Sequence, residues 1–370
     1  MAVPKLRRPS SSTVQEVPGL IPLSQPRIEG NAWKYVKDCL DTEWVSSAGG
    51  YVARFEESVR AYTGAGHAVA GVNGTACLHA ALEALGVGPG DGVIVPALTF
   101  IATANAVSYC GARPVFLDCD PVRFNLDLDL LERFLEEDCA RRGGRLVTRR
   151  GALPLRGVLP AHVLGFPADM PRLAAIARRH GLLVIEDAAE SMGSFWEGRH
   201  TGNFGAAGIL SFNGNKIVTC GGGGVVLTGD KTLARRLRHI TRQAKADPRE
   251  YLHDQIGYNY RLTNVAAALG LSQMELLPSF LEKRRRISRW YRERLEGVRI
   301  ESLPAAASWN RWLLSAQAAS PREKERFLKE LNAAGCQSRS LWMPLPRQKP
   351  YREALSTPIP NAEKAYATVI

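Results

Sequence analysis

At 370 residues the chain is long enough to bury a large core, and two unequal lobes are expected rather than one. Its 45% hydrophobic and 23% charged residues fit a soluble globular protein, with no low-complexity block or internal repeat. The net charge of +12 raises the question of nucleic acid. No groove-reading motif or aromatic stacking set accompanies it, so solvated faces and attraction toward anionic small molecules account for it.

The first twenty residues, rich in Ser and Pro, read as a flexible tail and lack the apolar core of a secretory signal. From Gly64 onward, short apolar runs alternate with amphipathic helical patterns. "HAVAGV" leads into "GTACLHAALEAL", and "GVIVPA" into "TFIATANAVSYC". "RPVFLDCD" precedes "LDLLERFLEED", "GVLPAHV" precedes "MPRLAAIARRHG", and "LLVIED" follows. This rhythm predicts an α/β fold, a mainly parallel sheet with helices on both faces and functional residues at the carboxyl ends of strands. Near Pro278 the pattern shifts to long charged helices, "LEKRRRISRWYRERL" and "REKERFLKELNAAG", which marks a smaller second lobe. The division expected is a tail over 1–20, a large domain over 21–275 and a small domain over 276–370. The basic cluster Arg141, Arg142, Arg145, Arg149 and Arg150 reads as a glycine-containing linker, and Lys283 to Arg286 as a charged helix face.

The longest near-apolar stretch, "FIATANAVSYCGARPVFL", carries Asn105, Arg113 and Pro114 and reads as helix, turn and strand rather than a membrane span. Seven cysteines with no CxxC pair point to reduced thiols and a cytoplasmic protein. The seven histidines are scattered without ligand spacing, so no metal site is expected.

Four local features combine. Asp187 ends the apolar run "LLVIED", where it is either a helix cap or a carboxylate delivered to the rim of a sheet. Lys216 closes the polar turn "SFNGNK" just before four consecutive glycines. "NGT" at 73 to 75 opens a helix, as a plain cap or as an anion cradle of free N–H groups. Phe100 follows a strand, where its ring either packs in the core or covers a flat ligand. Together they match what pyridoxal phosphate requires: an amine, a carboxylate for the ring nitrogen, a phosphate cradle and a stacking surface. No GxxxxGK[ST] is present, and "CGGGGVV" leads into a strand rather than a helix, which excludes the P-loop and dinucleotide fingerprints. Cys220 reads as a small packing residue.

In order and spacing, "NGTACLHAALEALGVGPGDGVIVPALTFIATANAV", "VIEDAAESMGS", "GRHTGNFG", "SFNGNK" and "GYNYRLTNVAAALGLSQMELL" resemble the DegT/DnrJ/StrS-type sugar aminotransferases. The resemblance runs from about Pro22 onward. It implies a fold-type-I pyridoxal-phosphate transferase, with a large α/β domain and a smaller C-terminal α/β domain. "HDQIGYNYRLTN", "SWNRWL" and "SRSLWMPL" are similar to the branch that aminates UDP-linked 4-keto-6-deoxy sugars in bacillosamine and legionaminic acid synthesis. Relatives continue past the helix resembling "AEKAYATVI" into a further strand and helix, which this sequence does not include.

By this resemblance Lys216 carries the cofactor covalently and Asp187 pairs with its protonated ring nitrogen. Gly74, Thr75 and Ser211 match the phosphate-binding positions, and Phe100 the residue stacked on the ring. Asn259 matches the asparagine that reaches the phosphate of the neighbouring subunit's cofactor, which implies a homodimer with shared active sites. Glu190 falls near the phenolic oxygen, where a carboxylate and a phenolate repel unless one is protonated. The implied partners are a nucleotide-sugar acceptor and L-glutamate as donor, with neither nucleic acid nor membrane. Two alternatives share the scaffold: a deoxysugar dehydratase, which has histidine where Lys216 stands, and a non-catalytic sensor.

Overall fold

The computed structural model describes residues 19–247, 249–295 and 303–370. The expected tail over 1–20 falls almost wholly outside them. Two helices, α1 (Ala32–Asp41) and α2 (Gly50–Thr63), precede the alternating part of the chain. Then follow β1 (His67–Gly71), α3 (Gly74–Ala84), β2 (Gly92–Pro96), α4 (Ala102–Tyr109), β3 (Arg113–Leu117) and α5 (Leu128–Glu137). The chain continues through β4 (Leu155–Val158), α6 (Met170–His180), β5 (Leu183–Asp187), β6 (Ala207–Ser211), β7 (Gly224–Thr228) and α7 (Lys231–Ile240).

These seven strands form one sheet in the order β1-β7-β6-β5-β4-β2-β3. β7 runs antiparallel to both β1 and β6, and every other pair is parallel. Side chains on both faces are apolar because helices cover both: Val93, Val95 and Phe116 enter one core cluster, Ile94, Val115 and Leu117 the other. The α/β fold expected from the alternating pattern is therefore the one observed.

Helix starts follow local capping chemistry. Asn73, Asp127, Asp169 and Asp230 each accept a backbone N–H from the first turn of the helix they precede. Gly64 and Gly181 end α2 and α6 in the left-handed conformation that an L side chain resists.

A 31-residue helix, α8 (Asn264–Arg294), follows, then α9 (Pro321–Ala333) and α10 (Pro360–Thr368). The lobe boundary expected near Pro278 lies inside α8, whose 264–281 part packs with α1 and α2 against the core. Among residues 282–294 only Ser288 is buried, which is why the charged pattern begins there. The segment over 20–23 pairs with 335–337 by Ile21 N–H to Gly335 O (2.8 Å) and Gln337 N–H to Ile21 O (2.9 Å). The arginine-rich stretch expected as a linker is instead a two-stranded hairpin, Cys139–Arg142 with Arg145–Thr148. Gly143 and Gly144, both at positive φ, make its turn.

Backbone from the C-terminal part returns to the sheet. Phe116 N–H donates to Leu355 O and Thr357 N–H to Phe116 O, at 2.9 and 3.0 Å, so residues 355–357 cover the outer edge of β3. Asp118, just past β3 and buried, accepts the N–H groups of Asn361 and Ala362 and so caps α10.

Candidate active site

Strands β1, β5 and β6 are parallel to one another, so Gly71, Asp187 and Ser211 all end at one edge of the sheet. β7 begins there, with Gly224 in register with both Gly71 and Ser211. This edge gathers most of the residues singled out in the sequence.

Asp187 is buried, and both its oxygens are engaged. Oδ2 accepts the Thr103 hydroxyl at 2.7 Å and Oδ1 the Ala189 N–H at 3.1 Å. The second bond is a local turn, the reading that competed with a functional one. The first comes from a helix 84 residues away and has no capping role. Each oxygen keeps a lone pair for a further donor. Thr103 lies in the first turn of α4, and its N–H donates to the carbonyl of Phe100, three residues before it, at 3.2 Å. Phe100 is 53% exposed, so the core-packing reading of its ring fails.

Next to this pair is the anion cradle. Gly74 and Thr75 open α3, where their N–H groups have no intrahelical acceptor. Asn73 caps the helix through Ala76 N–H at 2.8 Å. Ser211 faces the same turn: a Cβ on Gly74 would lie 3.2 Å from Ser211 Cβ. A side chain at position 74 would fill the cradle, so this glycine keeps room for an anion.

Lys216 Nζ is 3.5 Å from Glu190 Oε1 and 3.8 Å from the centroid of the Trp312 ring. Glu190 Oε2 accepts the Leu164 N–H at 2.8 Å. Burial, the largest influence, pushes the Glu190 carboxyl above the usual carboxylate range; Lys216 and the Leu164 N–H pull it back, and Asp187 adds a smaller upward push. Leu164 is buried at φ 54°, a conformation costly for a non-glycine residue. Its N–H is held by Glu190 and its carbonyl by Trp309 Nε1 at 2.9 Å.

The glycine run after Lys216 serves packing. A Cβ on Gly224 would meet Asn73 backbone atoms at 2.6 Å, and one on Gly223 would meet Cys220 Cβ at 3.0 Å. A Cβ on Gly222 would meet only Val72 O, at 3.7 Å. At Gly224 the run lets β7 press against the cradle's own backbone. Cys220 is buried and its thiol pushed up by burial, in keeping with a packing role.

Asn259 stands apart. Its backbone bridges Arg242, while its side chain is exposed and makes no hydrogen bond among the described residues. Thr103, Leu164 and Trp312 belong to the site; Thr103 and Trp312 lie within quoted motifs, but none of the three was given a role from the sequence. Thr103 could have been found as a hydroxyl three residues after Phe100 at a helix start. No periodicity marks Trp312.

An amine beside a carboxylate, a second buried carboxylate with free lone pairs and a roomy helix-start cradle fit a phosphate-bearing pyridine cofactor. The profile of the DegT/DnrJ/EryC1/StrS aminotransferase family matches residues 26–370. The chain belongs to this family. It is an aminotransferase dependent on pyridoxal 5′-phosphate. The GDP-perosamine synthase of Caulobacter vibrioides is 39% identical over 93% of this chain and 90% of its own length. A UDP-N-acetyl-3-dehydro-alpha-D-glucosamine 3-aminotransferase of Acidithiobacillus ferrooxidans is 36% identical, over 83% and 79%. The crystal structure of a family aminotransferase from Brucella abortus superposes with a TM-score of 0.85 at 32% identity, covering 93% of this chain and 90% of that one. Among the described residues no helix is long and apolar enough to cross a membrane, and no His/Cys/Asp/Glu group is arranged to hold a metal ion.

Proposed function

We propose that this aminotransferase transfers an amino group from L-glutamate to the keto carbon of a nucleotide-linked 4-keto-6-deoxy sugar. The observation that carries the reading is the convergence of Lys216, Glu190, Asp187 and the Gly74–Ser211 cradle on one sheet edge.

Bound pyridoxal phosphate supplies an electron sink for the carbon that loses its proton. The chain's residues do the rest. Lys216 would hold the cofactor and, when free, its amine would serve as the base that moves a proton, a contribution of ~10²–10⁴-fold for a positioned base. Asp187, fixed by Thr103, presents a negative charge to the ring nitrogen and keeps it protonated. The N–H groups of Gly74 and Thr75, with the hydroxyls of Thr75 and Ser211, take the phosphate at the positive end of α3. Phe100, half exposed, would cover a face of the ring. Burial raises the Glu190 carboxyl above the usual carboxylate range, which favours the protonated form that would sit beside a phenolate without repulsion.

The shared-site homodimer belongs to the same reading. Exposed Phe100 and Asn259 both suit burial by a second copy. A cytoplasmic location is supported by seven unpaired cysteines.

The motif resemblance favours a UDP-linked acceptor. The 39% identity to a GDP-perosamine synthase favours a GDP-linked one as the second reading. The test is a panel of UDP-, GDP- and dTDP-linked keto sugars with glutamate, read by NMR of the aminated product, with Lys216→Ala as control. Amination of one nucleotide series, lost in Lys216→Ala, is expected. Amination by Lys216→Ala at the wild-type rate, or of no keto sugar by the wild type, would overturn the reading.

A further inference from the structure

Two surfaces face the Lys216 amine: the Trp312 ring and the Glu190 carboxylate. Trp312 is buried, and its indole N–H donates to the carbonyl of Asn215 at 2.8 Å, one residue before the lysine. The ring is thus fastened to the loop whose side chain it faces. The segment that carries it is braced from behind. The Asn310 amide donates to Glu190 O at 2.8 Å and Met192 O at 3.0 Å, and accepts the Trp312 N–H at 3.0 Å. Trp309 stacks on Phe166 with centroids 4.1 Å apart and donates to Leu164 O, while Leu164 N–H donates to Glu190. Ring and carboxylate therefore belong to one hydrogen-bonded unit, built from residues about a hundred positions away in sequence.

We propose that Trp312 is a positioning residue whose ring face, with the Glu190 carboxylate, forms the holding site of the Lys216 amine whenever that amine is not joined to the cofactor. This rests on Lys216 being the cofactor lysine. In each turnover the lysine must be released, remain close and return. An unrestrained lysine explores many rotamers, and fixing them costs entropy. The indole face attracts the ammonium through its quadrupole, and the carboxylate balances the charge where little water reaches. Released lysine would thus be kept at one place, between the Trp312 ring and Glu190.

The test is trace acetylation of the full-length, cofactor-free protein, with Lys216 labelling measured by peptide mass spectrometry against exposed Lys34. Trp312→Leu should raise Lys216 labelling roughly three- to tenfold, the reach of a ring–cation attraction. Trp312→Phe keeps a ring face, loses the Asn215 bond, and should stay within about twofold of wild type. Equal labelling of wild type and Trp312→Leu, or equal increases in both variants, would overturn the holding site. A second measurement needs no variant: the Lys216 ε-methylene resonances of the cofactor-free wild type should carry an upfield ring-current shift, and its absence also overturns the proposal. Borohydride reduction of the holoenzyme and peptide mapping separate the two readings. Cofactor trapped on Lys216 upholds the functional reading whatever the labelling result, whereas cofactor on another lysine removes both.

Discussion

The Thr103 hydroxyl donates to Asp187 Oδ2 at 2.7 Å, joining the first turn of α4 to the carboxyl end of β5 inside the protein. A bond of this kind to a charged acceptor contributes ~1.5–3 kcal/mol. Thr103→Val keeps the shape and leaves Asp187 free to rotate, so turnover should fall about ten- to a hundredfold. Thr103→Ser should retain most of it. Steady-state rates of the two variants decide the matter, and a valine variant within about threefold of wild type would make Thr103 a packing residue.

Two neighbouring glycines should respond in opposite ways. Gly224→Ala forces a methyl against Asn73 backbone atoms at 2.6 Å, and backbone cannot swing aside as a side chain can. A loss of ~1–3 kcal/mol of stability is expected, together with weaker cofactor binding because Asn73 caps the cradle. Gly222→Ala places its methyl 3.7 Å from Val72 O and should change stability by less than about 0.5 kcal/mol. Urea unfolding and cofactor titration of both variants provide the check.

His200 gives the fold a sensitivity to acid. Its Nε2 accepts the Gly193 N–H at 3.0 Å, its Nδ1–H donates to the Thr201 carbonyl, and the ring is buried. Burial, the main cause, pushes its pKa down to about 4 from 6.5. Between these values the unfolded chain binds a proton that the folded chain does not. Stability is thus present above pH 6.5 and is lost as pH falls toward 4, by up to ~1.4 kcal/mol per pH unit. His200→Gln should unfold with a shallower dependence over this window than wild type. Identical slopes in urea titrations at several pH values would remove His200 as the cause.

The dimer prediction concerns complementation. With sites shared through Asn259, co-expressed Lys216→Ala and Asn259→Ala chains form one site that has both an intact lysine and an intact partner asparagine. Loss of the Asn259 bond costs ~1.5–3 kcal/mol, enough for the single variant to be impaired. Tagged mixed dimers should exceed the Asn259→Ala parent in activity. Mixed dimers with no gain, or a fully active monomer, would refute the sharing.

Much of this was legible in the sequence because strands and helices announce themselves by period. "LLVIED" ends in Asp187 at the carboxyl end of β5, and "SFNGNK" brings the Lys216 amine to 3.5 Å from Glu190, three residues past Asp187. The direction of β7 was not read: the twelve residues between Ser211 and Gly224 are just enough for a parallel crossover, so loop length did not decide it. The hairpin over 139–148 was hidden by its charge, which suggested solvent where strand pairing was possible. Trp312 stood in the motif "SWNRWL", but its place beside the lysine was not legible for a different reason. Its role depends on a fold that returns a distant segment to the lysine loop, and no local pattern encodes that return.

The pairing of Leu355 and Thr357 with Phe116 has a consequence for the newborn chain. β3 is the last strand on its side of the sheet, and among the described residues the outer N–H and C=O of Phe116 are partnered by a segment made more than two hundred residues later. While the ribosome works through the intervening helices, that flank offers bare N–H and C=O groups to any extended peptide nearby. The large sheet is sealed late, by residues that also carry the Asp118-capped helix into place.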